Sequence, residues 1–221
     1  METNKLKLKQ INSLFRHIKE VTKRLIRNPL FYVMIGLILI DLLTKWIIVW
    51  NKNSLASPVP IIPNFLYVTL IYNTGAIFGL GNGQLWSRVL IICVRIILAL
   101  IIPIIYFYKT RKVRMRYKVC LLMIYAGCIG NLIDGLFYWE NITGFNGVID
   151  WLQFSFFSYI FNLADAYIVV AVFLLIIFFV IDEIIEVRAR NRRGEYSMSP
   201  EEYEKYLAKK NEQKNGYNDK K

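Results

Sequence analysis

Residues 89–139 read VLIICVRIILALIIPIIYFYKTRKVRMRYKVCLLMIYAGCIGNLIDGLFYW, two apolar runs parted by the basic stretch KTRKVRMRYK at 109–118. A helix needs about 20 apolar residues to cross a bilayer core, and each run supplies them. Working outward, two more runs of the same kind appear, so the chain has four candidate spans: Leu30–Trp50, Val89–Tyr108, Val119–Trp139 and Leu163–Ile181. A hydrophobic content of 56% over 221 residues is too high for an ordinary soluble domain. The expected fold class is an all-α membrane protein with four transmembrane helices and a small extracytoplasmic β element.

Charge orients these spans. Of the 28 Lys and Arg, 8 precede the first span, 6 lie in the 109–118 stretch and 10 follow the last span. Only Lys45, Lys52, Arg88 and Arg95 lie elsewhere. The positive-inside rule then places both termini and the 109–118 loop in the cytoplasm. The same clustering explains the net charge of +12 as contact with the anionic inner face of a membrane, and argues against nucleic acid as a partner. The first run is expected to be a span and not a cleaved signal peptide, because 21 residues exceed an h-region and the run carries Asp41 and Lys45.

The chain divides into a basic N-terminal segment (1–29), a membrane domain (30–182) and a basic tail (183–221). The N-terminal segment spaces Leu8, Ile11, Phe15, Ile18 and Leu25 for an interfacial helix. In the tail, Ser199, Pro200 and Glu202 form a capping-box signature for a short helix. Cys93, Cys120 and Cys128 sit in apolar runs at spacings that fit neither a disulfide framework nor a zinc site, and read as packing residues. The single His17 lies in the basic N-terminal segment, which argues against His-dependent chemistry. No metal or cofactor is expected.

Two segments face outside. Residues 53–84 contain FLYVTLIY (65–72), rich in β-branched and aromatic residues and bounded by turn signals, and read as a strand or hairpin. Residues 140–162 have no basic residue and five Phe, and read as a loop on the membrane interface, a lid or substrate cradle.

Three aspartates, Asp41, Asp134 and Asp165, lie within apolar spans, where a carboxylate is costly unless paired or used. Asp41 and Lys45 are four residues apart and form a structural pair. Asp134 and Asp165 sit near the outer ends of their helices, Asp150 lies between them, and the amides Asn131 and Asn162 flank them. No cation lies between Lys118 and Arg188, so unless a cation from another span reaches them these acids must share protons, bind a metal ion or do chemistry. Two adjacent carboxyls cannot both ionise without a large penalty; one keeps a proton while its partner serves as base, which suits peptide hydrolysis.

The motifs DLLTK (41–45), NTGAIFG (73–79), GNLIDG (130–135), GVID (147–150) and FNLAD (161–165), in this order, resemble the lipoprotein signal peptidase (signal peptidase II) family. The resemblance spans residues 30 to about 182. It implies an aspartic endopeptidase of the bacterial cytoplasmic (inner) membrane, acting as a monomer on a diacylglyceryl-modified prolipoprotein and cleaving before the lipidated cysteine. It implies Asp150 and Asp165 as the catalytic pair, Asn73, Gly75, Asn131 and Asn162 near substrate, and Asp41, Lys45 and Asp134 in support. The family usually has Arg after the GNxxD aspartate where this chain has Gly135, so Asp134 needs support from elsewhere. The alternative, an ion- or proton-coupled transporter or channel subunit built on the intramembrane aspartates, predicts charge along whole helix faces, whereas here the acids gather at one end.

Overall fold

The computed structural model describes residues 12–13, 15–16, 19–20, 22–23, 26–55, 57–74, 84–109, 113–138, 144, 147–192, 198–199 and 201–209. It contains four helices long and apolar enough to cross a membrane. Helix α1 runs Pro29–Trp50, α2 Leu85–Lys109, α3 Met115–Phe137 and α4 Leu163–Arg192. Pro29 stands at the first turn of α1, where its missing N–H costs nothing, and the Asn28 side chain accepts from Leu30 N at 3.1 Å. Helix α4 passes Ile181, where the sequence placed the end of the span, because no Gly or Pro interrupts residues 182–192. Helix α2 starts at Leu85, four residues before Val89, so Arg88 falls inside its first turn.

The helices bury unequal shares of themselves. In α3, 56% of the apolar window is buried, against 6% in each of α2 and α4, which makes α3 the packed helix and leaves the others to lipid. Large apolar side chains such as Leu43, Leu100 and Phe173 are exposed on α1, α2 and α4, as a bilayer solvent allows. Close approach to α3 is set by its glycines. A Cβ on Gly127 would collide with the carbonyl oxygen of Ala164, and one on Gly130 would lie 2.6 Å from Asp41 Oδ2, so both α4 and α1 rest directly on α3 backbone.

A four-stranded antiparallel sheet packs with the helices: β1 (Val59–Ile62), β2 (Leu66–Asn73), β3 (Val148–Phe154) and β4 (Ile160–Phe161), in the order β1-β2-β3-β4. The β1–β2 hairpin turns through Asn64 at φ 59°, a left-handed conformation that Asn tolerates. Residues 140–162 are thus more than the interfacial loop expected from sequence: they supply β3 and β4. The strand was hidden because Val148, Ile149 and Asp150 are all buried, so the period-two alternation of a half-buried strand is absent. The turn after β3 folds the aromatic stretch back on itself, pairing Leu152 with Phe161 and Gln153 with Ile160. That reversal brings Asn162 back toward Asp150.

Apart from the membrane domain, the described residues between 12 and 26 are helical. In the tail, Ser199 N donates to Glu202 Oε2 at 2.8 Å and Glu202 N to Ser199 Oγ at 3.4 Å, the reciprocal capping box read from sequence, ahead of helix 201–209.

Candidate active site

Asn162 and Asp165 open α4 as an N-cap and its third residue. Asp165 N donates to Asn162 Oδ1 at 2.9 Å, and Asn162 N points to Asp165 Oδ2 at 3.4 Å. This is a capping box made with Asn and Asp, and it fixes Asp165 at the positive end of the helix dipole, where negative charge is favoured. The other end of the Asn162 amide reaches β3: Asn162 Nδ2 donates to Asp150 Oδ1 at 2.6 Å. One side-chain amide therefore ties the Asp150 carboxyl to the Asp165 backbone. Asp150 receives a second bond from Asn73 Nδ2 at 2.9 Å, a diagonal cross-strand contact set by the pairing of Asn73 with Val148 and Ile71 with Asp150. Asp165 receives one from Asn131 Nδ2 at 2.7 Å.

Beneath this pair lies a buried ion triad. Lys45 Nζ stands 2.7 Å from Asp41 Oδ2 and 2.8 Å from Asp134 Oδ2, all three side chains having no exposed surface, and it donates to Asn131 Oδ1 at 3.0 Å. The ammonium is thus met by three oxygens, one from α1 and two from α3. Both carboxylates also hold backbone: the far oxygen of Asp41, Oδ1, accepts from Ala164 N at 2.9 Å, and Asp134 Oδ2, the oxygen that faces Lys45, accepts from Ile149 N at 3.3 Å. Each supporting carboxylate thus holds the backbone N–H of the residue immediately before one of the paired aspartates. Asp134, which sequence left without a local cation, is met by Lys45 from α1 and stands apart from the Asp150–Asp165 pair as their support.

Electrostatics separate the two acids. Burial, with the charge of Asp165 adding to it, pushes the Asp150 carboxyl up to about 7, against the bonds from Asn73 and Asn162 and the charge of Lys45, which favour its ionised form. Asp165 sits at a helix N-terminus and faces both Lys45 and a second cation, Arg95. The pair can therefore share one proton near neutral pH, the state that acid–base hydrolysis by two carboxyls requires.

A family model described as Signal peptidase (SPase) II matches residues 33–181. The chain belongs to the signal peptidase II family. Among curated relatives, the lipoprotein signal peptidase of Bacillus pumilus (strain SAFR-032) is 35% identical over 159 residues, covering 69% of this chain and 94% of that protein. The lipoprotein signal peptidase of Listeria monocytogenes serotype 4a (strain HCC23) is 33% identical over 156 residues, with the same coverage of 69% and 94%. A solved bacterial membrane enzyme, determined by the in meso method at 2.3 Å resolution, is similar over 70% of this chain and 88% of its own, at 25% identity and a TM-score of 0.58. A signal peptidase II is a bacterial multi-pass membrane protein and an aspartic peptidase, and the transporter alternative finds no support among these relatives.

Of the sequence-predicted residues of this peptidase, Asp41, Lys45, Asn73, Asn131, Asp134, Asp150, Asn162 and Asp165 converge on one site; Gly75 lies outside the described residues. Sequence reading passed over two arginines of α2. Arg88 Nη2 donates to the carbonyls of Gly135 at 3.2 Å and Tyr138 at 2.7 Å, closing the C-terminus of α3, and Arg95 Nη1 donates to Asn131 O at 3.0 Å. The signal was present, since an arginine inside an apolar span is a functional candidate by default. Gly147, at φ 117°, completes the frame: its N–H bonds Tyr138 O at 3.1 Å, and a Cβ there would stand 2.5 Å from Asn73 O.

Proposed function

We propose that this peptidase removes signal peptides from diacylglyceryl-modified prolipoproteins, cutting before the lipidated cysteine, with Asp165 as general base and Asp150 as general acid. The single observation that carries the reading is the Asn162 amide bonded to the Asp150 carboxyl and to the backbone N–H of Asp165, with Asp165 at a helix N-terminus and the Asp150 carboxyl pushed up to about 7. Asp165 takes a proton from water as the water oxygen attacks the scissile carbonyl carbon, and Asp150 gives its proton to the carbonyl oxygen. Asp165 then passes its proton to the amide nitrogen as the C–N bond breaks, and Asp150 takes back a hydroxyl proton as the carboxyl product forms, so that water is divided between the two products and the pair is restored. Asn131 and Asn162 hold the acids in register, and Asn73 and Gly75 meet the substrate. The exposed Phe156, Phe157 and Tyr159 beside the sheet suit a membrane interface, where the acyl chains of a lipidated substrate would hold its peptide bond level with the pair. The enzyme acts as a monomer, its basic termini on anionic lipid.

Purified full-length protein incubated with a diacylglyceryl-modified prolipoprotein is expected to release the signal peptide, and an unmodified precursor is expected to stay uncut. Turnover should fall as pH rises above about 7, since Asp150 is the proton donor and its acidic form is the one present below that value. Equal activity at pH 6 and pH 9 would remove Asp150 from the acid role. For orientation, reporters fused after residue 110 or 190 are expected to be cytoplasmic and those inserted near 55 or 145 extracytoplasmic; a cytoplasmic residue 145 would put the pair on the wrong side for a translocated substrate.

A further inference from the structure

Arg95 is eleventh in α2, about 15 Å along the helix at 1.5 Å per residue, and lies among Ile92, Cys93, Val94, Ile96 and Ile97. A guanidinium at such depth is retained only where it lines polar protein, and two features give it such a place. Gly135 carries no side chain, and a Cβ there would stand 3.7 Å from Arg95 Nη1, an ordinary contact, and 3.1 Å from Ile92 Cγ1, so the guanidinium lies directly beside the glycine. A cavity of about 10 Å³, room for about one water, lies beside it, lined by Asn73, Thr74, Arg88, Arg95, Gly135 and Val148 among others.

The partner of Arg95 is the residue on which the site depends most. Its Nη1 bonds Asn131 O at 3.0 Å, and the Asn131 side chain in turn donates to Asp165 and accepts from Lys45 and Asn162. Asp165 is faced by Lys45 from α1, Arg95 from α2 and Asp150 from β3. Lys45 is already shared between Asp41 and Asp134, so Arg95 is the cation among these groups not engaged by that triad.

We propose that Arg95 is a positioning residue for the hydrolysis, a guanidinium delivered from α2 into the space beside Gly135 that fixes Asn131 and favours negative charge on Asp165 without touching substrate. The proposal rests on Asp165 being the base. A graded series on the full-length enzyme tests it: Arg95→Lys keeps the charge, Arg95→Gln keeps a donor for Asn131 O without charge, and Arg95→Met keeps neither. Arg95→Gln is expected to lower kcat about 10-fold with KM nearly unchanged, and to move the acidic limb of the kcat–pH profile up by about one pH unit, the scale of one charge at short range in a protein. Arg95→Met should show the same displacement with a further loss of kcat, and Arg95→Lys should restore most of the limb. The neutral variants insert into a membrane more easily than the arginine, so at least one is expected to accumulate. A fall in kcat with the limb unmoved, or unchanged kcat in Arg95→Gln or Arg95→Met, overturns the proposal. Asp165→Asn measured alongside separates the two failures. If it is active, the assignment of the base falls; if it is inactive while the Arg95 variants match wild type, only the role of Arg95 falls.

Discussion

Asp150→Asn and Asp165→Asn are each expected to accumulate as folded membrane protein and to lose turnover by at least about 10³-fold, because removal of a general acid or base acting as one unit with its partner disables the whole unit. Folding should survive for reasons visible in the hydrogen bonds. In Asp150→Asn the new carbonyl oxygen can replace Oδ1 as acceptor for Asn162 Nδ2, while the new amide nitrogen faces Asn73, which must turn its own amide to accept. In Asp165→Asn the oxygen can keep the 2.7 Å bond from Asn131, and the nitrogen meets only the long 3.4 Å contact from Asn162 N. Each change also removes a buried carboxyl, so thermal stability should not fall in proportion to activity. The double variant should be little worse than either single one. Near-normal turnover in Asp150→Asn, with Asp134→Asn inactive yet stable, would move the acid role to Asp134. The position of Asp134 against Lys45 Nζ at 2.8 Å argues against that outcome.

How much of this site was legible in the sequence differs by kind of signal. The four spans and the acids within them were plain, since hydrophobic length and charge are one-dimensional properties. The Asp41–Lys45 pair was legible because four-residue spacing places both on one helix face, but the sharing of Lys45 with Asp134 was not, as it depends on how α1 meets α3 at Gly130. Strand β3 was missed: with Val148, Ile149 and Asp150 all buried, it lacks the alternation that marks a half-buried strand, and an aspartate interrupts its apolar run. Asn162 was read as a flanking amide, whereas its sequence relation to Asp165, N-cap and third residue, already specified a capping box. Arg95 was counted as a charge and given no role, for its partner Asn131 lies 36 residues away on another helix.

The ion triad carries the largest expected effect on stability. Lys45→Met is expected to destabilise the protein by about 3–5 kcal/mol, because it leaves buried carboxylates without their cation. Asp41 and Asp134 have no exposed surface, and Asp134 Oδ1 already lacks a hydrogen-bond partner, so neither acid can recover by turning to solvent. The loss should spread beyond the triad. Asp41 holds Ala164 N and Asp134 holds Ile149 N, so relaxation of either acid moves the backbone next to Asp165 or Asp150. Low yield and a lower thermal midpoint in detergent are the expected readings, with turnover of the surviving protein also reduced. The triple variant Asp41→Asn/Lys45→Met/Asp134→Asn discriminates between charge and shape. It removes the uncompensated charges while leaving amide oxygens that can still accept from Ala164 N and Ile149 N, so it should regain most of the lost stability. A triple variant as unstable as Lys45→Met would mean that the packing of the lysine stem is what the bundle requires. A Lys45→Met protein as stable as wild type would mean that the two acids hold protons and never needed the cation, and the electrostatic account of the support beneath the pair would have to be abandoned.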